Sequence, residues 1–180
     1  KYDLGIVPHY ADSGNAIFSA IARRVPNSRI LDPTKAVDGF LKDLCACKAV
    51  ISTAMHPLVA CDALRIPNQW VRISEETTSR YKFHDYYSVF GKHKEPLDLT
   101  SHEFGQADLK NLIRNYDISD EQVSKVQRDL LTALQSLRSD IEKIKHKLIL
   151  LRLAKLVLRP TVWLIPIRRV RKRFRQYLKY

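Results

Sequence analysis

Four short apolar runs, separated by amphipathic stretches, dominate the first 90 residues. The amphipathic stretches place apolar residues at helical spacing, and the runs themselves have the length of buried strands. Strands that alternate with helices of about 10 to 15 residues form βαβ units, and these build a parallel sheet with helices on both faces. The sequence therefore predicts an α/β domain over residues 1–117, with strands at 4–7, 28–31, 49–52 and 68–73, and helices at 15–24, 34–47 and 56–65.

Three polar segments follow the predicted strands directly: His9-Tyr10, residues 52–56 and residues 74–76. In open parallel sheets, ligands bind beyond the carboxyl ends of the strands, often at the N-terminus of the next helix. The unpaired N–H groups and positive dipole of such a helix start attract phosphate or carboxylate. His56 falls in the first turn of the third predicted helix, where an imidazole can bind an anion or transfer a proton. The sequence thus predicts an anion site centred on His56.

The segment over residues 47–71, CKAVISTAMHPLVACDALRIPNQWV, resembles the polysaccharide pyruvyl transferases, particularly their exopolysaccharide-modifying branch. Two flanking pieces agree with this family: LGIVPHY at residues 4–10 and KFHDYY at residues 82–87. The resemblance covers residues 1 to about 91 in order, whereas the chain after residue 117 lies outside it. It implies a Rossmann-like, C-terminal, donor-binding domain of a two-domain enzyme with glycosyltransferase-B-like architecture, whose N-terminal domain would be a further partner.

Enzymes of this family move the pyruvyl unit of phosphoenolpyruvate onto two sugar hydroxyls as a ketal. This chemistry requires a proton for the enol methylene and groups that hold phosphate and carboxylate. The resemblance implies that His56 is catalytic, that phosphoenolpyruvate is the donor without a further cofactor, and that the acceptor is a sugar or lipid-linked oligosaccharide. The predicted donor-binding residues are Ser52, Thr53, Met55, His9, Tyr10 and Lys82.

Two positions depart from the family pattern. Its Arg-Leu-His tripeptide reads Ala54-Met55-His56 here, and its usual glycine after the histidine is Pro57. The missing arginine leaves two alternatives open. One is a glycosyltransferase of the same architecture that uses a nucleotide sugar, and the other is a catalytically silent domain that docks on membranes.

Positive charge is concentrated towards the C-terminal end. Residues 143–180 hold 13 of the 31 Lys and Arg residues and no Asp or Glu, which leaves 18 basic against 19 acidic residues elsewhere. Basic residues interleaved with apolar and aromatic ones are typical of an interfacial helix on an anionic leaflet. The sequence therefore predicts a peripheral protein on the cytoplasmic face of the cell membrane, rather than a nucleic-acid-binding protein. The membrane-contacting residues would be Arg168, Arg169, Arg171, Lys172, Arg173 and Arg175.

A long helix is predicted within a C-terminal extension over residues 118–180. Ser119 and Gln122 have the spacing of a capping box, and leucines and isoleucines follow a heptad rhythm from Leu130 to Leu151. This stripe predicts either a homodimeric coiled coil or packing against the N-terminal domain. No metal site is predicted, because His84, His93, His102 and His146 lack a recognisable ligand spacing and the three cysteines lie in apolar stretches.

Overall fold

The computed structural model describes residues 1–74 and 80–161, with side chains up to residue 154. Five parallel strands form one sheet in the order β2-β1-β3-β4-β5, and helices cover it. The predicted α/β, Rossmann-like architecture is confirmed. The strands are β1 (Tyr2–Val7), β2 (Ser28–Ile30), β3 (Cys47–Ser52), β4 (Asn68–Arg72) and β5 (Leu97–Asp98). The α-helices are α1 (Ala16–Arg24), α2 (Val37–Cys45), α3 (Met55–Ala63), α4 (Arg80–Ser88), α5 (Gln106–Arg114) and α6 (Asp120–Thr161).

The four predicted strands and three predicted helices are present, with ends that differ by a few residues. The connector predicted between residues 91 and 117 also contains a fifth strand, β5, which pairs in parallel with β4. The short helix that was predicted within this connector corresponds to α5, which is longer than predicted. Helix α4, which follows β4, was not predicted as an element, because its tyrosines and charged residues do not form a clear apolar face.

Side chains of β1 alternate between the two faces of the sheet and so belong to different cores. Leu4 and Ile6 pack with α1 and α5 in a cluster that includes Phe18, Ile21 and Leu109. Val7 lies on the opposite face with residues of α2 and α3. On that same face, α3, α4 and the first turn of α6 enclose a third, aromatic-rich cluster. Burial on both faces explains why the central strands are almost continuously apolar.

A short turn and two capping side chains position α1, the helix that follows β1. A single 3-10 turn (Tyr10–Asp12) leads from β1 towards α1, and His9 caps it by accepting a bond from Ala11 N. Asn15 then caps α1, because its side-chain oxygen accepts a hydrogen bond from Ile17 N at 2.9 Å. The chain therefore turns away from the carboxyl end of β1 within a few residues, and this leaves His9 at that end of the sheet.

The chain divides into two compact units, residues 1–126 and residues 127–180. The predicted capping box is present at the start of α6, since Ser119 N donates to Gln122 Oε1 and Gln122 N donates to Ser119 Oγ. In the second unit, the heptad leucines and isoleucines of α6 are exposed. The homodimer through this stripe stays a prediction. Among the described residues, no helix is long and apolar enough to cross a lipid bilayer.

Candidate functional site

The strand order reverses beside β1, and this reversal defines the candidate site. From β1 the chain crosses to β2 on one side, and it then returns to β3 on the other side. Val7, the last residue of β1, pairs with Ser52, the last residue of β3. The two strands therefore end level, and the loops that follow them lead to different faces of the sheet. Such a switch point is where ligands bind in open parallel sheets. His9-Tyr10 and residues 53–56 lie on these two loops.

A buried hydrogen-bond chain joins the two loops. His9 N donates to Thr53 Oγ1 at 2.8 Å, and Thr53 Oγ1 donates to Asp12 Oδ2, also at 2.8 Å. Thr53 and Asp12 are both buried. Asp12 was not singled out from the sequence, because nothing local shows that it pairs with a residue 41 positions away. These bonds fix the loop after β1 against the loop after β3.

Ser52 organises the same turn from the sheet side. Its hydroxyl donates to Val7 O at 2.8 Å, and it accepts a hydrogen bond from Ala54 N at 2.9 Å. Ser52 is buried, as is Thr53. In this structure both predicted donor-binding hydroxyls are thus engaged inside the protein. The two hydroxyls hold the loops after β1 and β3, and the start of α3, in position.

His56 lies in the first turn of α3 and is exposed. Ala54 caps this helix without a side-chain hydrogen bond. Within the described part of the chain, no side chain bonds to the His56 imidazole, and the N–H groups of Met55 and His56 have no acceptor. Pro57 occupies the third helical position, where its missing N–H costs little. An exposed imidazole therefore stands beside two unpaired backbone donors at the positive end of a helix, which is an arrangement suited to an anion.

The other predicted donor-binding residues differ in burial and in their contacts. His9 is half-buried, and its ring lies 4.3 Å from that of the exposed Tyr10, measured between centroids. Met55 is half-buried and packs against the aromatic cluster under α4. Lys82 is on α4, the helix that follows β4, and its Nζ lies 5.6 Å from the centre of the Phe83 ring. Glu75 and Glu76, which were predicted at the end of β4, lie outside the described residues, as do Arg168 to Arg175 of the tail.

A second polar cluster lies at the far end of α3. The buried carboxylate of Asp62 accepts hydrogen bonds from Asn68 Nδ2, Tyr86 Oη and Tyr116 Oη. Burial, together with the bond to Asp62, raises the pKa of both tyrosines, so they remain donors at any physiological pH. The network ties α3, β4, α4 and the segment before α6 together, so Asp62 has a structural role.

A cavity of about 380 Å³ opens near this network, at the amino ends of β4 and β5. Amide side chains of Asn68, Gln69, Asn111 and Asn115 contribute to its lining. Its charged lining residues are engaged: Asp108 accepts a bond from Gly105 N and pairs with His102, Lys94 pairs with Asp117, and Glu95 lies against His93. The cavity is suited to a polar ligand but offers little for proton transfer. We therefore place chemistry at the carboxyl edge of the sheet, although this cavity is at the other edge.

Two histidines and a glutamate form a third cluster that the sequence analysis missed. The ligand atoms of His84, His93 and Glu95 all lie within 4.8 Å of one another. The ring nitrogen Nδ1 of His84 is buried and has no hydrogen-bond partner among the described residues. The spacing of nine residues between the histidines matches no familiar ligand motif, because a helix end and a turn bring them together.

Two of the three cysteines are buried, and their thiols are not reactive. Cys47 and Cys61 are buried, Cys45 is exposed, and all three are free thiols. Burial raises the pKa of Cys47 to about 11 and also raises that of Cys61. Neither buried thiol forms the reactive thiolate near neutral pH. The apolar stretches that hold the cysteines thus bury two of them, whereas Cys45 is exposed.

A curated protein of Acanthamoeba polyphaga mimivirus, named Uncharacterized protein L143, is 28% identical to this chain over 144 residues. The alignment covers 73% of this chain and 48% of that protein. The chain therefore spans about half the length of this relative. No protein-family model matches the chain, and no solved structure matches it.

Proposed function

We propose that this chain is the donor-binding half of a transferase of surface-polysaccharide synthesis. In this proposal, the enzyme moves the pyruvyl unit of phosphoenolpyruvate onto a sugar, and the anionic donor binds at the carboxyl edge of the sheet. The observation that carries the proposal is the start of α3, where an exposed His56 stands beside two unpaired N–H groups at the β1–β3 switch point. The resemblance to the pyruvyl transferases supplies the identity of the donor.

The residues present suit the first step of such a transfer. A protonated imidazole at His56 gives its proton to the methylene carbon of the enol, which becomes a methyl group. The two N–H groups at the helix start hold a carboxylate or phosphate oxygen of the donor. One sugar hydroxyl then adds at the central carbon, phosphate leaves, and the second hydroxyl completes the ketal. Of the two hydroxyl protons, one restores the proton given by His56 and the other leaves with phosphate.

The donor contact can be tested by protection of the protein against heat. Phosphoenolpyruvate is expected to raise the melting temperature of the wild-type chain, whereas UDP-glucose is not. His56→Ala is expected to weaken the affinity about tenfold, equivalent to about 1.4 kcal/mol, because it removes one charge-assisted contact. His146→Ala, an exposed histidine of α6, is the matched control and should behave as wild type. Protection by UDP-glucose alone would favour the nucleotide-sugar alternative, and unchanged affinity in His56→Ala would contradict the proposed role of His56.

We further propose that the enzyme works as a peripheral protein on the cytoplasmic face of the cell membrane. The support is the charge of residues 143–180, where 13 basic residues are unopposed by any acidic one. Each basic residue near an anionic leaflet contributes up to about 1 kcal/mol. Removal of residues 159–180 is therefore expected to abolish co-sedimentation with phosphatidylglycerol vesicles. Neutral phosphatidylcholine vesicles serve as the control. Equal sedimentation of the full and shortened chains would contradict this placement.

A further inference from the structure

We propose that His84, His93 and Glu95 form a binding site for a transition-metal dication of the zinc type. Nothing in this inference depends on the activity proposed above. Two imidazoles and one carboxylate are a donor set that suits zinc and its neighbours rather than magnesium or calcium, which prefer oxygen ligands. Three protein ligands also leave a fourth position open for water or for a bound molecule.

The separations of the ligand atoms fit a single ion. Atoms held at about 2.0–2.1 Å from a tetrahedral centre lie about 3.3 Å from one another. His93 Nε2 is 3.2 Å from Glu95 Oε1, and His84 Nε2 is 3.7 Å from the same oxygen. The three atoms are therefore close enough for one ion to reach all of them once one side chain rotates.

The backbone that carries His93 and Glu95 is held in place by the end of α4. Gly91 adopts a positive φ of 66°, Gly91 N donates to Ser88 O, and Lys92 N donates to Tyr87 O. This is the Schellman arrangement, in which a left-handed residue ends a helix and redirects the chain. It brings the segment after the helix back alongside the face of α4 that carries His84.

Lysines and proposed metal ligands alternate along residues 92–95, and this alternation orients the ligands. Lys92 and Lys94 both pair with Asp117, at 2.9 Å and 2.6 Å. In an extended segment, side chains alternate between two sides, so His93 and Glu95 face away from Asp117. They meet His84 there, as the distances above show. Two ion pairs to one carboxylate thus fix the orientation of the two ligands between them.

The two imidazoles differ in burial. His84 is one-quarter exposed (26%), and its ring makes an edge contact with Trp70 at 5.8 Å between centroids. The two imidazoles are stacked, with centroids 4.7 Å apart and planes 9° apart. Stacked rings cannot both point their lone pairs at one ion, so one ring must turn. His93 is free to do so, since 76% of its side chain is exposed. His84 is the fixed ligand, and His93 closes the site.

The site is expected to bind with moderate affinity. Ligand histidines usually donate their second ring N–H to an acceptor, and loss of that acceptor weakens a metal site by about 10–100-fold. Among the described residues, His84 Nδ1 has no such partner. We therefore expect a reversible site that responds to the supply of metal, rather than a permanently filled structural site.

Calorimetric titration of the chain with ZnCl₂ tests the proposal. One ion per chain is expected, with affinity at least tenfold weaker in His93→Ala and in Glu95→Gln. His93→Ala should leave the fold intact, because the side chain is exposed. His102→Ala, which removes another histidine paired with a carboxylate, should bind as wild type, as should Cys45→Ser. Substitution with Co²⁺ reports the donors, and the expected spectrum lacks a thiolate charge-transfer band. Failure to bind, wild-type affinity in His93→Ala, or a thiolate band would each overturn the proposal.

Discussion

Replacement of Asp62 by alanine is expected to lower the free energy of unfolding by about 2–6 kcal/mol, because it leaves two tyrosine hydroxyls in the protein without their acceptor. The carboxylate accepts three hydrogen bonds, from Asn68, Tyr86 and Tyr116. Without it, the half-buried hydroxyls of Tyr86 and Tyr116 lose their acceptor, at about 1–3 kcal/mol each, whereas Asn68 Nδ2 keeps its bond to Ile66 O. Urea denaturation followed by circular dichroism measures the loss. Asp85→Ala, an exposed aspartate on α4, is the matched control and should change stability little.

The coupling between Asp62 and its tyrosines distinguishes this network from ordinary packing. Tyr86→Phe removes only the hydroxyl, and in the wild-type background it should cost about 1.5–3 kcal/mol, as a bond to a charged group does. In the Asp62→Ala background the same change should cost almost nothing, because the hydroxyl has already lost its acceptor. Additive effects of the two substitutions would show that the bond contributes nothing to stability.

A methyl group added at Gly5 is expected to destabilise the fold by about 1–3 kcal/mol, through overpacking of the sheet. Gly5 lies in β1, where a Cβ atom would stand 2.8 Å from Cys47 Sγ and 3.2 Å from Val50 Cγ2. Both neighbours belong to β3, the strand that pairs with β1, so neither backbone can retreat freely. Urea denaturation of Gly5→Ala measures the cost.

A substitution at Cys47 tests whether its sulfur causes the loss of stability in Gly5→Ala. Cys47→Ala removes the sulfur atom that the new methyl group would meet, so Gly5→Ala should be less harmful in that background than in the wild type. Gly39→Ala in α2 is the matched control. No described atom lies within 4 Å of a Cβ at that position, and the change should stabilise the helix by up to about 1 kcal/mol. Equal costs of Gly5→Ala in both backgrounds would show that the contact with Cys47 is not the cause.

Much of the sheet could be predicted from the sequence because its central strands are buried on both faces. Runs such as Leu4–Val7 are apolar without interruption, and the stretches between them have a helical period. Strand β5 escaped prediction because it contains only Leu97 and Asp98 and follows Pro96. Such a short edge strand is defined by its pairing with β4 and not by its own residues.

The edge of the sheet that carries the candidate site could also be predicted, since it follows from where strands end. The contacts within it could not. Thr53 joins His9 to Asp12, and Asp62 joins Tyr86 to Tyr116, through pairs that are 24 to 54 residues apart. His84, His93 and Glu95 meet only because Gly91 turns the chain. A single sequence carries no signal for such long-range pairs, whereas it does carry periodicity and capping.

Contact between His56 and an anionic donor is tested most directly by NMR of the histidine ring signals during titration with phosphoenolpyruvate. The His56 signals, assigned by their absence in His56→Ala, are expected to shift in a saturable way, while those of His102 and His146 stay in place. Saturable binding that leaves the His56 signals unmoved would put the donor elsewhere. A chain that shows no binding at all would contradict the proposed anion site itself.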